Sequence, residues 1–218
     1  MSLLPPLLGL STWHYLDTHG PRSHVMTLQL MTTLQCTTRG LPFIYYGEEI
    51  GMSGTKPDEL IRTPMQWDNT PGAGFTDGKP WEAINADFLL VNVAKQTGDS
   101  TSLLEYYRSL IQLRNEHPAL RIGKTYVADS KSNKIISYLR ASKDETLLVI
   151  INIDDAPVSG YDLELSLGPL SGQYNAASLL DNSTINPLTS NAKGGFNAYN
   201  PLNELPPYSV TVIQLTPQ

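Results

Sequence analysis

The stretch LPFIYYGEEIGM, residues 41–52, decides how the rest of the chain is read. An apolar run of leucine, phenylalanine, isoleucine and tyrosine stops at Gly47, and Glu48 and Glu49 follow before Gly51. A short apolar run rich in aromatic and β-branched residues and closed by glycine has the pattern of a buried strand. Residues 41–46 are therefore expected to form a strand with two carboxylates at its C-terminal tip. Paired carboxylates suggest acid–base chemistry, and glycoside cleavage in particular needs two. Neighbours on an extended chain, however, point to opposite sides. Glu48 and Glu49 are then not expected to address one substrate atom together, and the plainer reading makes them rim residues held by an arginine or by backbone amides.

Working outward, HVMTLQLMTTLQCTTRG upstream gives a helix over about Val25–Thr37, with Met26, Leu30, Met31 and Leu34 at helical spacing. Downstream, residues 47–100 are rich in Gly, Pro, Asn and Asp, and a connection that long is usually functional. SLLEYYRSLIQLRNEHP then reads as the clearest helix. Ser102 and Glu105 form a capping box, Leu103, Tyr107, Leu110, Ile111 and Arg114 share a face, and Pro118 ends it. Beyond about Leu120 the period becomes two. NKIISYLR, TLLVIINI, YDLELSL and YSVTVIQL are strands of an antiparallel sandwich. A strand opening into a long loop and a helix is a βα unit, and (β/α)8 barrels build their sites from such loops. About 120 residues cannot close such a barrel, which needs roughly 250.

The totals exclude some classes. The 218 residues carry 15 Lys and Arg against 21 Asp and Glu, a net charge of -6, so no basic face is available for nucleic acid. Cys36 is the single cysteine, and no internal disulfide can form. No run reaches the ~18 apolar residues of a membrane helix, and MSLLPPLLGL makes a poor signal peptide. Compartment is left open, with the cytoplasm favoured.

The motifs RGLPFIYYGEEIGM, RTPMQWDNTPGAGF, the Pro80–Trp81 pair and SLLEYYRSLIQLRNEHPAL together resemble the end of the alpha-amylase family of glycoside hydrolases, in its oligo-1,6-glucosidase and alpha-glucosidase branch. The likeness is motif-specific over residues 12–120 and rests on order and pattern beyond. It implies the last βα units of a (β/α)8 barrel over residues 1–119, followed by an antiparallel β-sandwich over 120–218. It also implies a retaining enzyme acting on alpha-glucosides, whose nucleophile and acid come from strands upstream of anything in this chain; no catalytic residue is assigned here. A third carboxylate of the family belongs to an Asn-His-Asp motif. In YLDTHGPRSH, Thr18 stands for the asparagine and Gly20 for the aspartate, and Asp17 falls in the wrong place.

The resemblance assigns two residues to substrate binding. Arg62 matches an arginine able to bind the glucose ring, and its fork suits sugar hydroxyls as well as a carboxylate in a loop ion pair. His19 matches the motif histidine that donates to a sugar hydroxyl. His14, His19 and His24, five apart, fan around a helix, so no metal site is expected. No cofactor is implied. Trp67, Phe75 and Trp81 either stack on sugar faces or pin the long loop. The expected partner is an alpha-glucoside oligosaccharide once a full barrel is present, with self-association through the open strand edge; neither nucleic acid nor membrane is expected. The competing reading is a non-catalytic carbohydrate-binding or interaction module derived from the same family.

Overall fold

The computed structural model describes residues 21–54 and 56–218, with side chains from Val25 onward. Helix α1 spans Pro21–Thr37, α2 Val93–Gln96, α3 Leu103–Glu116 and α4 Pro118–Ile122. The strands follow as β1 Lys124–Ser130, β2 Ile135–Ala141, β3 Thr146–Asn152, β4 Val158–Ser159, β5 Leu163–Leu165, β6 Gln173–Ser178, β7 Leu188–Thr189, β8 Phe196–Tyr199, β9 Glu204–Leu205 and β10 Val210–Pro217. Two compact units result. One joins the described residues up to Gln29 with Phe43–Ser109, and the other joins Leu30–Pro42 with Leu110–Gln218.

The helix expected over Val25–Thr37 is present, but the buried side differs from the apolar stripe read in the sequence. Met31 is exposed, whereas Thr32, Thr33, Cys36 and Thr37 are buried. Threonine can occupy a buried helical face when its hydroxyl bonds back one turn. Thr37 Oγ1 donates to Thr33 O at 2.5 Å, and Thr38 Oγ1 to Leu34 O at 2.6 Å.

Residues 41–45 correct the strand expectation. They belong to no strand, and Leu41 and Phe43 are 82% and 80% exposed. A parallel strand exists through hydrogen bonds to neighbours and through cover on its faces. Among the described residues no strand pairs with this segment, so apolar composition alone leaves it irregular. The carboxylates correct a second premise. Glu48–Ile50 form one 3-10 turn between Gly47 at φ 86° and Gly51 at φ 73°, so strand alternation does not govern where Glu48 and Glu49 point.

The long 47–101 stretch is folded. It holds further 3-10 turns at Asp58–Ile61 and Ala86–Leu89, then α2. Ile50, Met52, Met65 and Leu104 form its small core with Val91 and Val93 against them. Helix α3 starts as predicted, with Ser102 Oγ accepting from Glu105 N at 3.3 Å. The reciprocal arm of the capping box is absent. Glu105 instead accepts from Gly98 N at 2.8 Å and pairs with Arg108, while Ser102 N donates to Asp99 O. Leu103, Tyr107, Leu110 and Arg114 are buried as expected, but Ile111 is exposed. Proline begins a new element where the sequence suggested only a stop. His117 is extended, as a residue before proline prefers, and Pro118 occupies the first turn of α4.

In the second unit eight strands form one antiparallel ladder in the order β7-β6-β10-β3-β2-β1-β5-β8, and β4 and β9 pair with each other in a separate two-stranded sheet. Strand β1 carries the turn-over. Its Lys124–Ala128 pair with β2, and Asp129 and Ser130 pair with β5. Both arms of the ladder therefore supply one core, in which Leu139, Leu148, Ile150 and Ile213 meet Tyr161, Leu163, Phe196 and Tyr199. The sequence missed β1, β6 and β8 and the two-residue strands β4, β7 and β9. Strands β2 and β3 are buried almost throughout. Their second face carries Tyr138, whose hydroxyl lies 2.6 Å from Thr37 Oγ1, and Arg140, which donates to Leu120 O at 2.9 Å. Arg114, 8% exposed, donates to the carbonyls of Cys36, Thr38, Gly40 and Leu120, closing the open end of α1.

Candidate functional site

Within the first unit a cleft of about 280 Å³ is lined by Tyr46, Glu49, Thr63, Pro64, Met65, Trp67, Phe75 and Trp81. Apart from Trp81, of the Pro80–Trp81 pair, its lining comes from two motifs singled out in the sequence. Tyr46 and Glu49 come from the turn after the apolar run, and residues 63–75 come from RTPMQWDNTPGAGF.

The local folding that sets these walls is polar. Tyr46 Oη donates to Thr63 O at 3.1 Å and ties one motif to the other. Trp67 N donates to Ala73 O and Trp67 O accepts from Ala94 N, each at 2.9 Å, so the indole backbone is held from both directions. Asp68 accepts from Thr70 N at 2.8 Å and from its hydroxyl at 2.5 Å, which closes the turn and holds the Asp68 carboxyl below the usual range. Ala73 is in the left-handed region at φ 54°, where a side chain is strained, and the turn imposes it. Gln66, fully buried, donates to Asp87 Oδ1 at 3.0 Å and to Val91 O at 2.5 Å, while its Oε1 has no partner. Sequence reasoning missed Gln66, whose only signal was a polar residue between Met65 and Trp67.

The two glutamates have separate environments. Glu48 Oε1 accepts from Tyr107 Oη at 3.1 Å. Burial raises its pKa against the lowering effects of the Tyr107 hydroxyl and the Tyr45 backbone, and the Glu49 charge raises it further. Glu49 lines the cleft, and its Oε2 is buried without a partner. The Tyr45 and Tyr46 rings lie 4.9 Å apart. Burial, followed by Tyr45, pushes the Tyr46 hydroxyl up, and the Arg62 charge opposes this.

Arg62 donates to Asp58 Oδ2 at 3.4 Å in an exposed ion pair and is not among the cleft-lining side chains. His19, with Asp17, Thr18 and Gly20, lies outside the described residues. Trp67, Phe75 and Trp81 are brought together as cleft walls and are 49%, 45% and 63% exposed. Among the described residues, no three His, Cys, Asp or Glu side chains gather as a metal site requires, and no helix is long and apolar enough to cross a membrane.

The family model for the alpha amylase catalytic domain matches residues 15–123, half of the 218, and the chain belongs to the alpha-amylase family. Oligo-1,6-glucosidases are among the relatives it is similar to. The chain is 32% identical over 164 residues to the oligo-1,6-glucosidase of Halalkalibacterium halodurans, covering 59% of this chain and 29% of that protein. It is 30% identical over 168 residues to the oligo-1,6-glucosidase of Parageobacillus thermoglucosidasius, covering 60% and 30%. Among solved structures, isomaltulose synthase from Erwinia rhapontici in complex with sucrose superposes with a TM-score of 0.65 at 25% identity, over 91% of this chain and 39% of that one. The chain thus spans about three-tenths of the length of the curated relatives it matches.

Proposed function

We propose that these 218 residues are the C-terminal portion of an alpha-glucosidase-like glycoside hydrolase of carbohydrate metabolism, with the nucleophile and the acid outside this chain. The observation that carries the reading is the cleft itself, because residues of both family motifs line it. Residues 1–119 are the last part of the barrel domain and 120–218 a β-sandwich domain. Among the described residues all strands lie beyond Gly123, which supports that division. Arg62 and His19 bind the substrate ring when the barrel is complete. The substrate class comes from the relatives' names, which are those of oligo-1,6-glucosidases.

Retaining cleavage needs two carboxyl groups ~5 Å apart, with bond breaking and bond making on opposite faces of the sugar. Glu48 and Glu49 do not provide that pair, because Glu48 is engaged by Tyr107 while Glu49 lines the cleft. Purified chain incubated with p-nitrophenyl alpha-glucoside, maltose and isomaltose is expected to show no turnover. Turnover that disappears in Glu49→Gln or Asp17→Asn would sink the reading.

The same cleft also favours a second reading, a non-catalytic carbohydrate-binding or interaction module, since every lining residue lies within positions 46–81. Self-association through the exposed apolar residues of 41–46 belongs to either reading. It is checked by sedimentation velocity across a concentration series, where a monomer throughout would refute it.

A further inference from the structure

Asn182-Ser183-Thr184 is the single Asn-x-Ser/Thr triplet in the 218 residues. With serine and not proline in the middle, it has the form of an acceptor for N-linked glycosylation, a short pattern that says little by itself. An attached glycan is bulky and hydrophilic, so the pattern gains meaning only where the asparagine stands in the open and outside regular structure. Both conditions are met here.

The triplet lies in the connection between β6, which ends at Ser178, and β7, which begins at Leu188. The stems of that connection are fixed. Leu179 N donates to Val212 O at 2.8 Å. At the other end Asn186 N donates to Pro201 O at 2.9 Å, and Asn186 Nδ2 to Asn200 O at 2.8 Å. Ile185, directly after the triplet, is buried in the β core. Between these anchors Asp181, Asn182 and Thr184 are exposed. Ser183 N donates to Asp181 Oδ1 at 3.0 Å, so the tip is turned by the aspartate and not by Asn182. The amides of Asn152, Asn186 and Asn191 each support a backbone carbonyl, but among the described residues none is bonded by the Asn182 amide. That amide therefore carries no part of the fold, and a group added to it displaces no contact.

We propose that Asn182 is an N-glycosylation acceptor, taking one glycan when the chain meets an oligosaccharyl transferase. The donor is an oligosaccharide carried on a polyprenyl pyrophosphate. The Asn182 side-chain nitrogen attacks the anomeric carbon, the new C–N bond forms, and the C–O bond to the pyrophosphate breaks. The amide proton passes to a base of the transferase, the polyprenyl pyrophosphate leaves, and nothing is oxidised or reduced. Thr184 supplies the hydroxyl two residues on that the transferase recognises. The site belongs to the β-rich unit and uses no residue of the cleft.

The test uses the full chain, translated behind a cleavable secretory leader in the presence of microsomes. Only chains protected from added protease, and hence inside the vesicles, are scored; secretion from yeast applies the same criterion if too few enter. One discrete upward shift in mobility is expected, and endoglycosidase H should collapse it. Asn182→Gln and Thr184→Ala should each abolish the shift, whereas Thr184→Ser, which keeps the hydroxyl, should retain it. Peptide mass spectrometry should place the sugar on Asn182. Because the tip is open, the enzyme should also remove the glycan from undenatured chain, and the glycosylated form should keep the circular dichroism and melting temperature of the unmodified one. No shift in protected chains, or a shift that survives Asn182→Gln, would overturn the site. A glycosylated chain that melts lower or aggregates would overturn it as well, since the asparagine would then be needed by the fold. The family reading, which rests on residues 15–123, stands or falls separately.

Discussion

In residues 124–217 the backbone is satisfied by the backbone, strand against strand in long registers such as Ile135–Ala141 on Thr146–Asn152. In residues 47–101 much of the same task falls to single side chains. Gln66 reaches Val91 O, Gln96 reaches Ile50 O at 2.8 Å, Asn85 reaches Ser53 O at 2.6 Å, and Asn92 caps α2 through Lys95 N. A ladder distributes its support over many equivalent bonds, so losing one matters little. A loop held by individual amides depends on each of them. The region that builds the cleft is therefore the one most sensitive to single polar substitutions, and the β region is most sensitive to lost core volume.

The largest effect belongs to the β core. Leu148→Ala in β3, at a fully buried site shared by both arms of the ladder, is expected to cost ~2–5 kcal/mol in urea unfolding. A cost below ~1 kcal/mol would show that the core is not what holds the ladder.

Alkaline pH tests the same region from its other face. Burial pushes the Tyr138 hydroxyl up to about 12, and the Thr37 hydroxyl bond opposes part of that rise. The folded state then holds the proton while the unfolded chain releases it near 10. Stability from this group is complete below pH ~10 and falls as pH rises to ~12, by roughly 3 kcal/mol. Melting curves of the parent and of Tyr138→Phe should diverge in that window, the variant having the flatter profile. Parallel curves would remove Tyr138 as the cause.

Gln66→Leu should do smaller and local damage. It leaves Val91 O and Asp87 without their donor, ~1–3 kcal/mol. Amide exchange should accelerate at Val93 and Ala94, which bond to Gln66 O and Trp67 O, and stay unchanged in β3. Acceleration in both regions would mean that the loop is not held locally.

The smallest effect is at Glu48. Its pKa is already raised by burial, so stability from the protonated form is present at acid pH and is lost as pH rises through its titration. Tyr107→Phe removes the hydroxyl that favours the charged form and should raise the pKa further, changing stability by no more than ~1 kcal/mol. An NMR titration showing a lower pKa in the variant would contradict this.

Repetition and local chemistry determined what could be read from sequence. The helix ending at Thr37, the start of α3 at Leu103 and the four strands found by alternation each depend on a period or a cap that a short window contains. The family motifs likewise sit in continuous stretches. What a window cannot contain was decided by tertiary structure. Residues 41–45 are apolar enough for a strand but belong to none, and Leu41 and Phe43 are exposed. Thr37 looks like a surface residue and is buried, because its back-bonded hydroxyl needs no water. The face of Glu48 and Glu49 was settled by two left-handed glycines that turn the chain into a 3-10 element. The cleft needed folding most of all. Tyr46, Trp67, Phe75 and Trp81 are scattered over 36 positions, and only the folded chain brings their rings around one space.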